Sequence, residues 1–203
     1  MENQEQIFIE STQELRAWLR QHCTQKNSVW LVRWKKEFTD AYISYDALVD
    51  ELICFGWVDS LPRGLDETKT MLRISPRNPK SNWSRVNKER VERLKKQGRM
   101  EECGMMVVEI AKSNGAWDFL NDVEYLIIPK DLEVEFDKNP NARKYYELFP
   151  KSSKRSILEW IKNAKQETTR HTRILEIVSK ASQNIKANHP KGKDAGPKFQ
   201  GDL

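Results

Sequence analysis

Apolar positions along this 203-residue chain change their spacing near residue 84. Before that point they fall in short dense runs. Ser11 stands as an N-cap ahead of Leu15, Trp18 and Leu19 at helical spacing, which predicts an amphipathic helix over 11–24. Residues 28–35 (SVWLVRWK) are rich in β-branched and aromatic side chains and predict a core strand. Ser44 caps a short helix running through Leu52, which Gly56 closes as a left-handed residue or turn. Strands are predicted at 57–61 and 70–75, with a turn between them at Pro62-Arg63-Gly64.

From Ser84 onward the pattern is helical. One helix over 84–97 ends at Gly98, and another over 101–113 ends at Asn114-Gly115. Asp131 caps a short helix, Asn139-Pro140 opens one over 140–148, and Pro150 breaks it. Two more follow over 152–165 and from 168 to about 185, the second with Ile174, Val178, Ala181 and Ile185 along one stripe. The final segment, HPKGKDAGPKFQGDL, has almost nothing to bury and reads as a disordered tail over 188–203. The expected fold class is α+β. A small, mostly antiparallel sheet in the N-terminal half, about 5–83, packs against a largely helical half at 84–187, in one domain spanning 1–187.

Seven Trp, seven Phe and five Tyr supply a core that needs no disulfides, although 32% of residues are charged. Cys23, Cys54 and Cys103 are far apart and form no Cys-x-x-Cys pair, so they read as reduced, mostly buried thiols. His22, His171 and His189 lack metal-ligand spacing, and the eight glycines form no phosphate loop, so no metal and no cofactor is expected. The N-terminus lacks the basic-then-apolar order of a secretory signal, and no apolar run nears the ~18 residues of a membrane span, which places the chain in the cytoplasm without membrane insertion. Charge falls in alternating blocks: net −4 over 1–62, +8 over 63–99, −6 over 100–150 and +7 over 151–203. Such blocks suit mutual attraction in the fold or one locally positive face.

Chemistry concentrates between Cys54 and Asn87. A strand at 57–61 would put Trp57, Asp59 and Leu61 on one face, where the Asp59 carboxylate needs a partner and Arg73 and Arg77 are nearest in sequence. Residues 75–84 hold two prolines and many donors, which describes an ordered loop able to grip a carboxylate or phosphate through guanidinium groups. Ser84 would cap the next helix and set its positive dipole end beside Arg77 and Ser81. Asn87 tops the apolar stripe of that helix, Trp83 precedes it, and Arg170 is an unexplained cation near the start of the last helix. The ligand-binding set is therefore Trp57, Asp59, Arg73, Arg77, Ser81, Trp83, Ser84, Asn87 and Arg170, with a small anionic molecule as partner. An enzyme of hydrolytic or transfer activity with Asp59 as acid or base is one alternative. Nucleic-acid binding by the basic 84–97 helix is another and ranks behind, because Glu89 and Glu92 can pair locally with its cations.

These same residues resemble the YdeI/OmpD-associated (bacteriocin-protection) family, through CFGWVDS at 54–60, SPRNPKSNWSRVN at 75–87, GRM at 98–100, AKSNGAWD at 111–118 and AKQETTRHTRI at 164–174. The resemblance covers about 10–185. It implies a bacterial protein linked by name to protection against bacteriocins or cationic peptides and to an outer-membrane porin, and no catalytic residue. A cytoplasmic chain would play such a part indirectly.

Overall fold

In the computed structural model, which describes residues 5–40 and 42–188, a four-stranded mixed sheet occupies the N-terminal half. Its strands are β1 (Gln6–Phe8), β2 (Val29–Trp34), β3 (Trp57–Gly64) and β4 (Lys69–Pro76), in the order β1-β2-β4-β3. β1 runs parallel to β2, and the β2/β4 and β3/β4 pairs are antiparallel. The α+β class and the mostly antiparallel sheet are as the sequence implies. β1 carries no sequence signal, since three residues with one buried side chain leave no period to detect.

The chain divides into two units, Met1–Phe119 and Leu120–Leu203. In the first, α1 (Thr12–Gln21), α2 (Tyr45–Cys54), α3 (Arg85–Lys96) and α4 (Glu102–Ser113) join the sheet. Ser11, Ser44 and Ser84 cap α1, α2 and α3 by accepting the backbone N–H of Glu14, Ala47 and Asn87. Each such cap is worth about 1 kcal/mol, which is why these starts were legible. Leu15 and Leu19 of α1, Leu48 and Leu52 of α2, Leu31, Ile74 and Trp57 of the sheet, and Val91 and Leu94 of α3 form one core. Gly56 adopts φ +73°, the left-handed turn expected of it.

The hairpin between β3 and β4 departs from expectation. Pro62-Arg63-Gly64 is not the turn but the end of β3, and the chain reverses over 65–68. There the Asp66 carboxylate accepts the N–H groups of Thr68 and Lys69 at 2.7 Å each, while Lys35 Nζ binds the Asp66 and Glu67 carbonyls. β3 is an edge strand, where a proline costs no ladder bond, and its register slips by one residue between Asp59 and Pro62. The slip also removes Leu61 from the Trp57 face and leaves it 51% exposed.

The second unit holds α5 (Asn121–Glu124), α6 (Lys130–Lys138), α7 (Pro140–Leu148), α8 (Lys151–Lys162) and α9 (Glu167–Ser182). α9 packs on α6, α7 and α8, with Ile174, Ile177, Val178 and Ala181 buried. Asn184, at φ +58°, lies just beyond the end of α9, so Ile185 falls outside the helix it was assigned to. Asp131 lies in the first turn of α6, whose N-cap is Pro129. Apart from Asn188, the tail expected at 188–203 lies outside the described residues.

Candidate functional site

Along β3 and β4 the pleat decides which nominated groups can meet. Asp59 pairs in register with Ile74, a core residue, so it stands on the core-facing side. Arg73 is the next residue along β4 and pairs with Trp30, which puts it on the opposite face. No ion pair joins Asp59 to Arg73 or Arg77 among the described residues. Arg73 donates through Nε and Nη2 to Ser28 Oγ at 3.1 and 2.9 Å. Asp59 instead accepts the Tyr45 hydroxyl at 2.6 Å. That bond, with desolvation added, pushes the Tyr45 phenol up to about 12, so it stays protonated. The two line a cavity of about 260 Å3 with Arg33, Ser60, Thr70 and Leu72. Tyr45 and Arg33 carry no local signal, because they meet Asp59 around one cavity only once α2 packs on β3 and β4 brings β2 into the same sheet.

Arg77 is the anomaly. It is 8% exposed, and its guanidinium carbon lies 3.8 Å from the centroid of Trp83. Nη2 donates to the Asn82 carbonyl at 2.6 Å, while Nε is buried without an acceptor. Burial pulls its pKa down to about 10, and no carboxylate acts against that. Arginine side chains are rarely this buried without a carboxylate to pair with. Trp57 and Trp83 are each 1% exposed and belong to the core, and the Trp57 indole N–H also lacks an acceptor. The loop is ordered as expected: Ser81 N–H binds Asn78 O at 2.9 Å, and Asn114 Nδ2 holds the Pro79 carbonyl at 2.8 Å. Ser84 caps α3, and Asn87, half-buried, gives its N–H to that cap. α3 has no acidic residue in its first turn.

Arg170 lies in the second unit and is bound there by Asp131, Nε to Oδ2 at 2.6 Å and Nη2 to Oδ1 at 2.9 Å. The hydrogen bond from Arg170 holds the Asp131 carboxyl below its usual value. That pairing explains a cation at a helix start. Arg173 reaches the Trp160 carbonyl in the same way.

A denser group of charges lies on α2, outside the residues that the sequence nominates. Asp50 and Glu51 of α2 are 7% and 4% exposed, yet both are fully partnered. Asp50 Oδ1 takes Arg90 and Arg93 at 2.8 and 2.7 Å, and Glu51 takes Arg16 and Arg99 at 2.8 and 2.6 Å. Burial alone would push the Asp50 carboxyl up, but hydrogen bonds from Arg93 and Arg90 prevail and hold it low. A pair of adjacent acids inside an otherwise apolar helix, Leu48-Val49-Asp50-Glu51-Leu52, was the available signal.

The first unit thus defines a small α+β module with a buried, unpaired guanidinium, and the second a helical module. Residues 126–184 match the family model described as Bacteriocin-protection, YdeI or OmpD-Associated. The resemblance inferred from the sequence is shown over that stretch. Residues 7–107 match a separate model, a domain of unknown function (DUF8412). Of the blocks that carried the resemblance, 164–174 falls inside the first match, 54–60, 75–87 and 98–100 inside the second, and 111–118 between them. No curated protein and no solved structure matches the chain. No helix among the described residues is long and apolar enough to cross a membrane.

Proposed function

We propose that this is a cytoplasmic bacterial protein with a stress-protective role that binds a small anion, a carboxylate or phosphate, at the Arg77 guanidinium beside the start of α3. The observation that carries the reading is the burial of Arg77 without a carboxylate partner. A charge withdrawn from water unpaired costs several kcal/mol, and an anion that reaches it recovers part of that cost. Ser84 and the acid-free first turn of α3 add a positive dipole end to the same place. Ser81, in the loop that follows β4, and Asn87, in the first turn of α3, would add further polar groups. Arg73 and Arg170 already have partners, so the reading centres on Arg77. The description of the family matched by 126–184 supports a protective role.

Thermal unfolding with inorganic phosphate, acetate and a panel of phosphorylated and carboxylated metabolites tests this. A ligand present at 100 times its Kd adds about 2.7 kcal/mol. That shift should vanish in Arg77→Ala. If no anion shifts the wild type, or the variant responds identically, the site is wrong.

The Tyr45–Asp59 bond favours a second reading, in which the 260 Å3 cavity catalyses a hydrolytic or transfer step with Asp59 exchanging a proton. Asp59→Asn would then keep its fold and lose turnover of nitrophenyl ester probes. An unfolded Asp59→Asn, or wild type with no turnover to lose, points to a structural carboxylate.

A further inference from the structure

Arg33 and Asp59, both half-buried, bring opposite charges to one cavity without pairing. Along β2, Arg33 alternates with Val29 and Leu31, which are wholly buried, so it stands on the core-facing side of the sheet and pairs in register with Thr70. Asp59 reaches the same side from β3, next to the one-residue bulge before Pro62, a feature that re-aims side chains at sheet edges. Each of the two charges is held on one side and left open on the other. Arg33 donates from Nη1 to the Ile43 carbonyl, and its guanidinium carbon lies 5.3 Å from the centroid of the Tyr42 ring. Its Nε is buried without an acceptor, and no described residue accepts from Nη2. Those two groups form the edge on which a guanidinium takes a carboxylate side-on, as Arg170 takes Asp131 in the second unit. Asp59 Oδ2 accepts the Tyr45 hydroxyl, and no described residue donates to Oδ1.

The balance of charge around this cavity selects its ligand. A simple anion drawn to Arg33 would face the Asp59 carboxylate, and a simple cation drawn to Asp59 would face the guanidinium. A molecule carrying both charges satisfies each wall and brings no net charge into the site. The cavity, at about 260 Å3, lies below the ~300 Å3 where sites for drug-sized molecules begin, so that molecule is small. We propose that the cavity binds a free amino acid, with its carboxylate on the Nε and Nη2 edge of Arg33, its ammonium on Asp59 and its side chain against Pro62, Met71 and Leu72. The hydroxyls of Ser60 and Thr70 donate to the Arg73 and Arg63 carbonyls, which leaves their oxygens free to accept from the ammonium. Asp59 acts here as a fixed counter-charge, in contrast to the proton exchange of the hydrolytic reading. The site shares no residue with the anion site at Arg77, and neither proposal falls with the other.

Equilibrium dialysis of the full chain against tritiated alanine, valine, leucine, serine and threonine tests this. At least one should bind and be displaced by its unlabelled form. The matching acid without the amine, and the matching amine without the carboxylate, should fail to displace it at the same concentration. Asp59→Asn and Arg33→Met should each weaken binding about tenfold or more, as the loss of a hydrogen bond to a charged group does. Ser60→Trp, at an exposed position on the edge strand, should fill the mouth of the cavity and abolish binding while leaving the core intact. No binding of any of the five, equal displacement by the acid or the amine, or wild-type affinity in Asp59→Asn or Ser60→Trp would each overturn the proposal. The displacement series uses wild type alone and needs no variant to fold.

Discussion

Arg77 and Asp50 are both buried charges, and their surroundings set opposite expectations for substitution. Arg77 has no carboxylate to lose, so Arg77→Met exchanges an unpaired guanidinium for an apolar chain of similar reach. In anion-free buffer, urea unfolding should place that variant within about 1 kcal/mol of wild type or above it. Asp50→Asn strands two guanidinium groups and should cost about 2 kcal/mol, less than a fully buried pair because Arg93 is 44% exposed. Two glycines separate space from conformation in the same way. Gly104→Ala meets backbone at 2.1 Å and should cost more than about 3 kcal/mol or prevent folding. Gly98→Ala has open space but a φ of +65°, so about 1 kcal/mol is expected. Nothing in the local sequence distinguishes Gly104, since a glycine inside a helical pattern does not reveal what lies across from it.

The network around α2 makes acid stability a property of the elements it joins. The Asp50 carboxyl is held low against burial by Arg93 and Arg90, and the Glu101 carboxyl is held low by Arg20, then Arg16. A carboxylate whose folded pKa lies below its unfolded value binds fewer protons when folded. Its contribution is complete above the ordinary carboxylate range near pH 4 and is lost as pH falls through the depressed folded values. Stability measured by urea unfolding from pH 6 down to pH 2 should therefore fall steeply below about pH 4, and less steeply in Asp50→Asn. The starts of α1, α2 and α3 were legible because serine caps are local, and β2 because its composition is. The hairpin turn was not. Pro-Arg-Gly is a stronger local signal than Leu-Asp-Glu-Thr, and only the edge position of β3 and the Asp66 and Lys35 bonds overrule it. The expected Asp59–arginine pair failed for a related reason: nearness in sequence ignored the pleat that sends Asp59 and Arg73 to opposite faces.

Across the molecule, the alternating charge blocks are consumed inside each unit. The +8 block at 63–99 meets the −4 block at 1–62 through Arg90 with Asp46 and Asp50, Arg93 with Asp50, and Arg99 with Glu51. In the second unit Lys162 meets Asp122, Arg155 meets Glu124 and Arg170 meets Asp131. The basic stripe of α3, which from sequence alone suggested a polyanion surface, is depleted further by Arg85–Glu89 and Lys88–Asp118. Counterion release scales with the number of cations offered to phosphates, and most of these guanidinium groups would first have to abandon carboxylates at 2.6–2.8 Å. Fluorescence anisotropy with labelled single- and double-stranded oligonucleotides at about 50 mM salt should therefore show no binding tighter than the ~10⁻⁴ M edge of nonspecific association. Micromolar binding that falls steeply with salt and weakens in a Lys95→Gln, Lys96→Gln double variant would instead mean that α3 offers a real cationic face, and the small-anion reading of its N-terminus would have to give way to a polyanion one.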